Sequence, residues 1–151
     1  MKKGVLVLAL AIMLFSGVAR SQDNGFGLGI ILLEPTGISA KKWIDDNSAI
    51  DGAIAWSFFN PSSFHLHADY LYHKFNIFDV QKGKLPLYFG IGARIRIGDI
   101  EDRLGIRIPV GICYIFEQSP LDIFFELGPV LDLTPATRLR LTGSIGIRYF
   151  F

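Results

Sequence analysis

LPLYFGIGARIRI, residues 85–97, alternates from end to end. One set of positions reads Leu85, Leu87, Phe89, Ile91, Ala93, Ile95 and Ile97; the other reads Pro86, Tyr88, Gly90, Gly92, Arg94 and Arg96. Period-two alternation is the signature of a strand with two different faces. The polar face is the unusual one. A sheet surface in water is normally covered by Lys, Glu, Thr and Gln, whereas this face interleaves glycine with arginine. Glycine weakens a strand and packs nothing, unless something large must fit beside it. A narrow lumen supplies that reason: arginines fold over glycines inside, and the aliphatic face points out.

The same pattern runs on either side. Arg103–Phe116 sets Leu104, Ile106, Ile108, Val110, Ile112, Tyr114 and Phe116 against Gly105, Arg107, Pro109, Gly111 and Cys113. Leu121–Leu133 sets Leu121, Ile123, Phe125, Leu127, Pro129 and Leu131 against Asp122, Glu126, Gly128 and Asp132. Thr137–Phe151 sets Leu139, Leu141, Ile145, Ile147, Tyr149 and Phe151 against Arg138, Arg140, Thr142, Ser144 and Arg148. Further runs are read at Gly25–Leu33, Gly37–Ile44, Ala49–Phe58 and Phe64–Phe75, the second with its phase blurred by adjacent Lys41 and Lys42. Between the runs lie segments rich in Gly, Pro, Asn, Asp and Ser, such as Asp45–Asp46–Asn47–Ser48 and Asn60–Pro61–Ser62–Ser63, which suit tight turns. Short connections between consecutive strands imply an antiparallel meander.

The chain has 151 residues, enough for one domain. Charged residues make up 19% and the formal net charge is +1, so no electrostatic partner such as nucleic acid is expected. Residues 1–19, MKKGVLVLALAIMLFSGVA, have the form of a cleaved secretory signal: Lys2 and Lys3, an apolar run from Val5 to Phe15, then Gly17–Val18–Ala19. The spacing of Ala19 and Ser21 also fits a cut after Ser21. The expected domain is then 22–151. It keeps a single cysteine, Cys113, so it can form no internal disulfide. Beyond the signal no apolar run reaches the roughly 18 residues of a membrane-crossing helix.

Two further features fix the aliphatic face as the outside. The runs approach or exceed the roughly 9–11 residues that a tilted strand needs to cross a bilayer. Aromatic residues recur toward strand ends on the apolar face, at Trp56, Phe58, Phe64, Tyr72, Tyr114, Phe116, Tyr149 and Phe151, as interfacial girdles require. The expected fold is all-β, an eight-stranded antiparallel up-and-down transmembrane β-barrel, with the last strand closing onto the first so that no edge meets lipid.

Inside such a barrel the charged residues should form a salt-bridge ladder of Lys41, Arg94, Arg96, Arg107, Arg140 and Arg148 with Asp51, Asp69, Asp122 and Glu126; Arg138 shares their face. Arginine suits bidentate pairing with carboxylates in a confined space. The expected result is a plugged lumen, with a narrow anion-preferring pore as the competitor. His65 and His67 stand two apart on one strand face with Asp69, a spacing that can hold a metal, and His73 has the same parity. The preferred reading is lumen filler, with no metal and no cofactor. Ser62, Ser63 and Ser119 have no obvious base beside them, so no enzyme activity is expected.

The closing stretch, GSIGIRYFF, places Ile145, Ile147, Tyr149 and Phe151 on one face. It resembles the C-terminal recognition signal of bacterial outer-membrane barrels, which implies the outer membrane as the location and the barrel assembly machinery as a partner. GFGLGIILLEPTGISAKKW, AIDGAIAWSF, HLHADYLYH, KLPLYFGIGARIRIG, RLGIRIPVG and PLDIFFELGPVLDL together resemble a family of small spirochaete-type outer-membrane proteins of unknown function. That resemblance implies an OmpA-like transmembrane barrel and brings no agreed activity. Leu33 stands where the resemblance leads one to expect glycine before the Glu34–Pro35–Thr36–Gly37 turn. The expected partners are outer-membrane lipid, the assembly machinery and, as the sharper functional idea, host proteins met at the surface. With both chain ends in the periplasm, the surface loops fall near 34–36, 59–63, 98–102 and 134–136, and all are short. A lipid-modifying enzyme is the remote alternative.

Overall fold

The computed structural model describes residues 25–33, 36–57 and 62–151. The proposed secretory signal, the Glu34–Pro35 part of the first turn, and Phe58 with the Asn60–Pro61 turn lie outside these residues. The described chain forms β1 (Phe26–Leu32), β2 (Thr36–Trp43), β3 (Ser48–Ser57), β4 (Ser63–Lys74), β5 (Leu87–Gly98), β6 (Arg103–Arg107), β7 (Val110–Ile115), β8 (Leu121–Thr134) and β9 (Arg138–Phe150). Every pairing is antiparallel.

The sixth expected strand arrives as two pieces. Pro109 has no N–H to give to a ladder, and β6 stops before it while β7 starts after it. The register does not slip: β5 pairs Gly92 with Arg107 and then Phe89 with Val110, the same step on both strands. The carbonyl of Pro109 still accepts from Gly90 N, and Ile108 N donates to Pro129 O, both at 2.9 Å. β6 and β7 therefore act as one wall element, and the architecture is an eight-stranded barrel. It closes at the pairing of β1 with β9, from Gly27↔Phe150 to Leu32↔Ile145, and of β4 with β5.

Orientation follows the alternation. Ile91 is 60% exposed on the outer face, whereas Arg94 on the inner face of the same strand is 4% exposed. Ile30, Ile38, Ile54, Leu66, Ile95, Ile106, Ile123 and Ile147 all face outward. Lys41, Asp122 and Arg148 are sealed inside. A protein with guanidinium groups in its centre and isoleucines on its surface is built for an apolar solvent, not for water. The blurred second strand resolves as Lys41 inward and Lys42 outward.

Glycine sits where a large inward side chain leans over it from the adjacent strand. The Phe124 ring occupies the space a Cβ on Gly146 would take, and the Tyr88 ring does the same at Gly111. The interior is layered as a result. Near the chain ends, Trp43, Leu71, Tyr88, Cys113, Ile115, Phe124 and Phe150 form an apolar layer. Charged residues lie beyond it and also within it, where Lys41 and Arg148 pack on its rings. The longest connection, between β4 and β5, lies on the same side as the chain ends, and the opposite rim carries the short turns.

Candidate functional site: the barrel lumen

Inside the barrel two arginines each gather two carboxylates. Arg148 donates from Nε to Asp122 Oδ1 at 3.0 Å and reaches Asp51 Oδ2 at 3.4 Å. Its guanidinium lies 4.1 Å from the centre of the Phe124 ring. Arg107 approaches Asp69 Oδ2 at 2.9 Å and donates to Glu126 Oε1. Tyr88 OH donates to Glu126 Oε2 at 2.9 Å. These residues come from β3, β4, β5, β6, β8 and β9, so the network ties opposite walls together across the lumen. Removing so many charges from water is costly unless each finds a partner, and a planar guanidinium can satisfy two carboxylates at once.

Toward the chain ends, Lys41 Nζ lies 2.8 Å from His73 Nε2 and 4.2 Å from the centre of the Trp43 ring. His73 packs on Trp43 with ring centres 4.4 Å apart, and its Nδ1 meets Asn47 O at 3.2 Å. At the opposite rim, Asp132 accepts from both Arg94 and Arg140 at 2.9 Å. Arg103 is bonded to Glu101 in the rim loop. That donation holds the half-buried Glu101 carboxyl below its ordinary pKa. Arg96 faces the same mouth, half-buried, and no ion pair within 4.0 Å joins it to another described residue.

Asp132 was not among the residues singled out from the sequence as members of the ladder. Its parity with Asp122 and Glu126 was the available signal. Trp43, Phe124 and Phe150 share the polar parity too, and their aromatic character marks the apolar layer that the alternation alone left unread.

The two histidines of the metal reading separate. His67 joins Asp69 and Asp51, with one potential ligand atom from each lying within 4.8 Å of the others. Arg107 occupies the same place, with Nη1 3.5 Å from His67 Nδ1 and Nε 2.9 Å from Asp69 Oδ2. A fixed guanidinium there repels a cation and takes up its carboxylates, so the donor set does not suit a metal. His65 instead meets Ser63, with Nε2 2.9 Å from Oγ. This corrects the reading that Ser63 has no base beside it. The pair is not a catalytic dyad in form, because an imidazolium on His65 would face Arg94, Arg96 and Arg103, and among the described residues no carboxylate is bonded to it.

Ile145 and Ile147 point outward on β9, and the Tyr149 and Phe151 rings meet edge to face with centres 5.1 Å apart. Tyr114 with Phe116, and Tyr72 with Phe89, continue an aromatic band near the chain-end rim.

No family model matches the sequence, and no curated protein matches it either. Solved structures do. The N-terminal β-barrel domain of Pseudomonas aeruginosa OprF superposes with a TM-score of 0.58 at 12% identity, covering 83% of this chain and 95% of that one. Neisserial surface protein A (NspA) superposes with a TM-score of 0.51 at 18% identity, covering 83% of this chain and 93% of that one. Identities this low establish the shared fold, an eight-stranded barrel, and nothing about activity.

Proposed function

We propose that this chain is a small integral barrel of a bacterial outer membrane, non-conducting, with a structural and surface-interaction role. One observation carries the reading: Arg148 and Arg107, with the carboxylates of Asp51, Asp69, Asp122 and Glu126, bridge the lumen among the buried rings of Trp43, Phe124 and Phe150. An ion crossing the barrel would have to break charge-assisted bonds and then pass an aromatic plug. The likeness to OprF and NspA supports the membrane setting, and residues 1–19 would direct export. The resemblance to small spirochaete-type outer-membrane proteins belongs to the same proposal.

Planar-bilayer recording of the refolded protein tests the plug. The expected record is flat, and reproducible single-channel steps would replace the plug with a narrow pore. Ile145, Ile147, Tyr149 and Phe151 form the strand face offered to the assembly machinery. Phe151→Ala should lower the folded fraction recovered in outer membranes while leaving refolding from urea into detergent unchanged. Host-protein binding is the candidate surface role. Intact cells displaying the barrel should retain a serum protein that barrel-free cells do not, and equal retention by both retires the idea.

A further inference from the structure

The barrel wall is not of even height. β9 pairs with β8 along its whole length, from Asp132↔Arg138 to Leu121↔Tyr149. With β1 it pairs only from Ile145 onward, because β1 ends at Leu32. Among the described residues, no strand therefore lies beside Arg138–Ser144 on the β1 side. Exposure along the outer face of β9 records the step: Leu139 is 75% and Leu141 70% exposed, and the value falls to 37% at Ile145, which pairs with the last residue of β1.

The direction of the hydrogen bonds shows what this notch offers. Phe150 N donates toward β8, to Pro120 O, and Phe151 N donates toward β1, to Phe26 O. Alternating back along the strand, the N–H and C=O groups of Leu139, Leu141 and Gly143 point to the β1 side. A row with no strand partner among the described residues is costly against lipid and adhesive in water.

We propose that the open edge of β9 over Leu139–Gly143 is a docking site for an extended segment of another protein, added to the barrel wall as a strand. The edge presents donors and acceptors in alternation at the spacing of a strand, which a second extended backbone matches group for group. Side chains set the sequence preference. The docked strand would place one face beside Leu139 and Leu141 and the other beside Arg138 and Arg140, so it should alternate apolar with acidic residues. Asp132 already holds Arg140 at 2.9 Å, and Glu101 lies near both arginines, whereas Arg138 is exposed. A second copy of this chain is a poor occupant. The two-fold that sets β9 antiparallel to itself lies perpendicular to the sheet, hence in the membrane plane, and would turn the second barrel upside down. The inference rests on the barrel fold and not on whether the lumen conducts.

Amide hydrogen exchange on the full barrel in lipid nanodiscs tests it, using a soluble nine-residue peptide of alternating valine and glutamate as the probe. Without peptide, the amides of Leu139, Leu141 and Gly143 should exchange fast while those of Ile145 and Ile147 are protected. The peptide should slow the first group about tenfold or more, and a valine–lysine peptide should not. Protection already present without peptide would show the edge covered by lipid, by this chain or by a second copy, and overturns the proposal; so does exchange indifferent to the glutamate peptide. Leu141→Pro removes an amide on the open side only, so the variant should keep its heat-modifiable folded form and lose the peptide effect. Undiminished peptide protection of Leu139 and Gly143 in that variant also overturns it.

Discussion

Arg148 and Asp122 face each other in direct register across β9 and β8, joined at 3.0 Å, with neither side chain reaching solvent. The pair is held by desolvation as much as by attraction: each charge would be expensive alone in the lumen. Asp122→Ala leaves Arg148 with Asp51 at 3.4 Å as its remaining carboxylate. The expected loss is about 3–5 kcal/mol, read as a lower urea midpoint for unfolding from phospholipid vesicles. Replacing the whole group, with Arg148→Met, Asp122→Leu and Asp51→Leu together, should recover most of that loss. If Asp122→Ala stays within about 0.5 kcal/mol of the parent, water already solvates the arginine and the lumen is not sealed.

Leu33 adopts φ 82°, in the left-handed region that favours glycine, and Thr36 Oγ1 donates to its carbonyl at 2.6 Å. The glycine expected at this position from the resemblance thus has a conformational reason, and the leucine pays a strain that nothing on its exposed side chain offsets. Leu33→Gly should raise the unfolding midpoint by about 1 kcal/mol, the relief of backbone strain less the added freedom of the unfolded chain. A lower midpoint would mean that the leucine side chain itself holds the turn.

The alternation of residues 85–97, with glycine and arginine on one face, is enough to read the barrel and its inverted orientation. Parity is a property of the local chain, and it survives folding. What parity could not supply is depth. Which arginine meets which carboxylate depends on stagger between strands, so the pairing of Arg148 with Asp122 and of Arg94 with Asp132 required the register. Adjacent Lys41 and Lys42 blur the phase of their strand because both are polar; the pairing of Lys41 with Gly27 and Asp51 places Lys41, the one read as a ladder member, inside. Pro109 interrupts a ladder without shifting it, a distinction that sequence spacing does not make. The aromatic layer of Trp43, Phe124 and Phe150 was hidden for a simpler reason: apolar residues on a face read as polar break no rule of alternation.

Asp45 lies in the turn between β2 and β3, where its carboxylate accepts from Asn47 N at 2.8 Å and Ser48 N at 2.7 Å. These two backbone donors, Asn47 first, hold its pKa below the ordinary 3.8. A carboxyl whose pKa is depressed on folding stabilises the fold above its ordinary value, and that contribution is lost as pH falls through the depressed one. An NMR titration should therefore place Asp45 below 3.8. Asp45→Ala should flatten the acid arm of the stability profile below about pH 4 and speed exchange at the Asn47 and Ser48 amides. A titration midpoint at or above the ordinary value contradicts the turn geometry.

Ile91 offers the sharpest test of which solvent surrounds the barrel. It stands at the middle of β5, 60% exposed on the outer face, with Gly92 inward against Asp69 on the next strand. A charge placed there meets hydrocarbon if the belt is lipid-facing and water if it is not. Ile91→Arg should therefore cost about 2–4 kcal/mol when folding is measured into phospholipid vesicles, as lipid-facing arginines near a bilayer midplane do. The same substitution toward the rim, at Ile97, should cost about 1 kcal/mol or less, because the side chain can reach the interface. In a soluble barrel neither position would discriminate by depth, and a surface arginine would be neutral or favourable. Equal, small effects at Ile91 and Ile97 would sink the membrane orientation and, with it, the sealed lumen as the place where this sequence stores its charges.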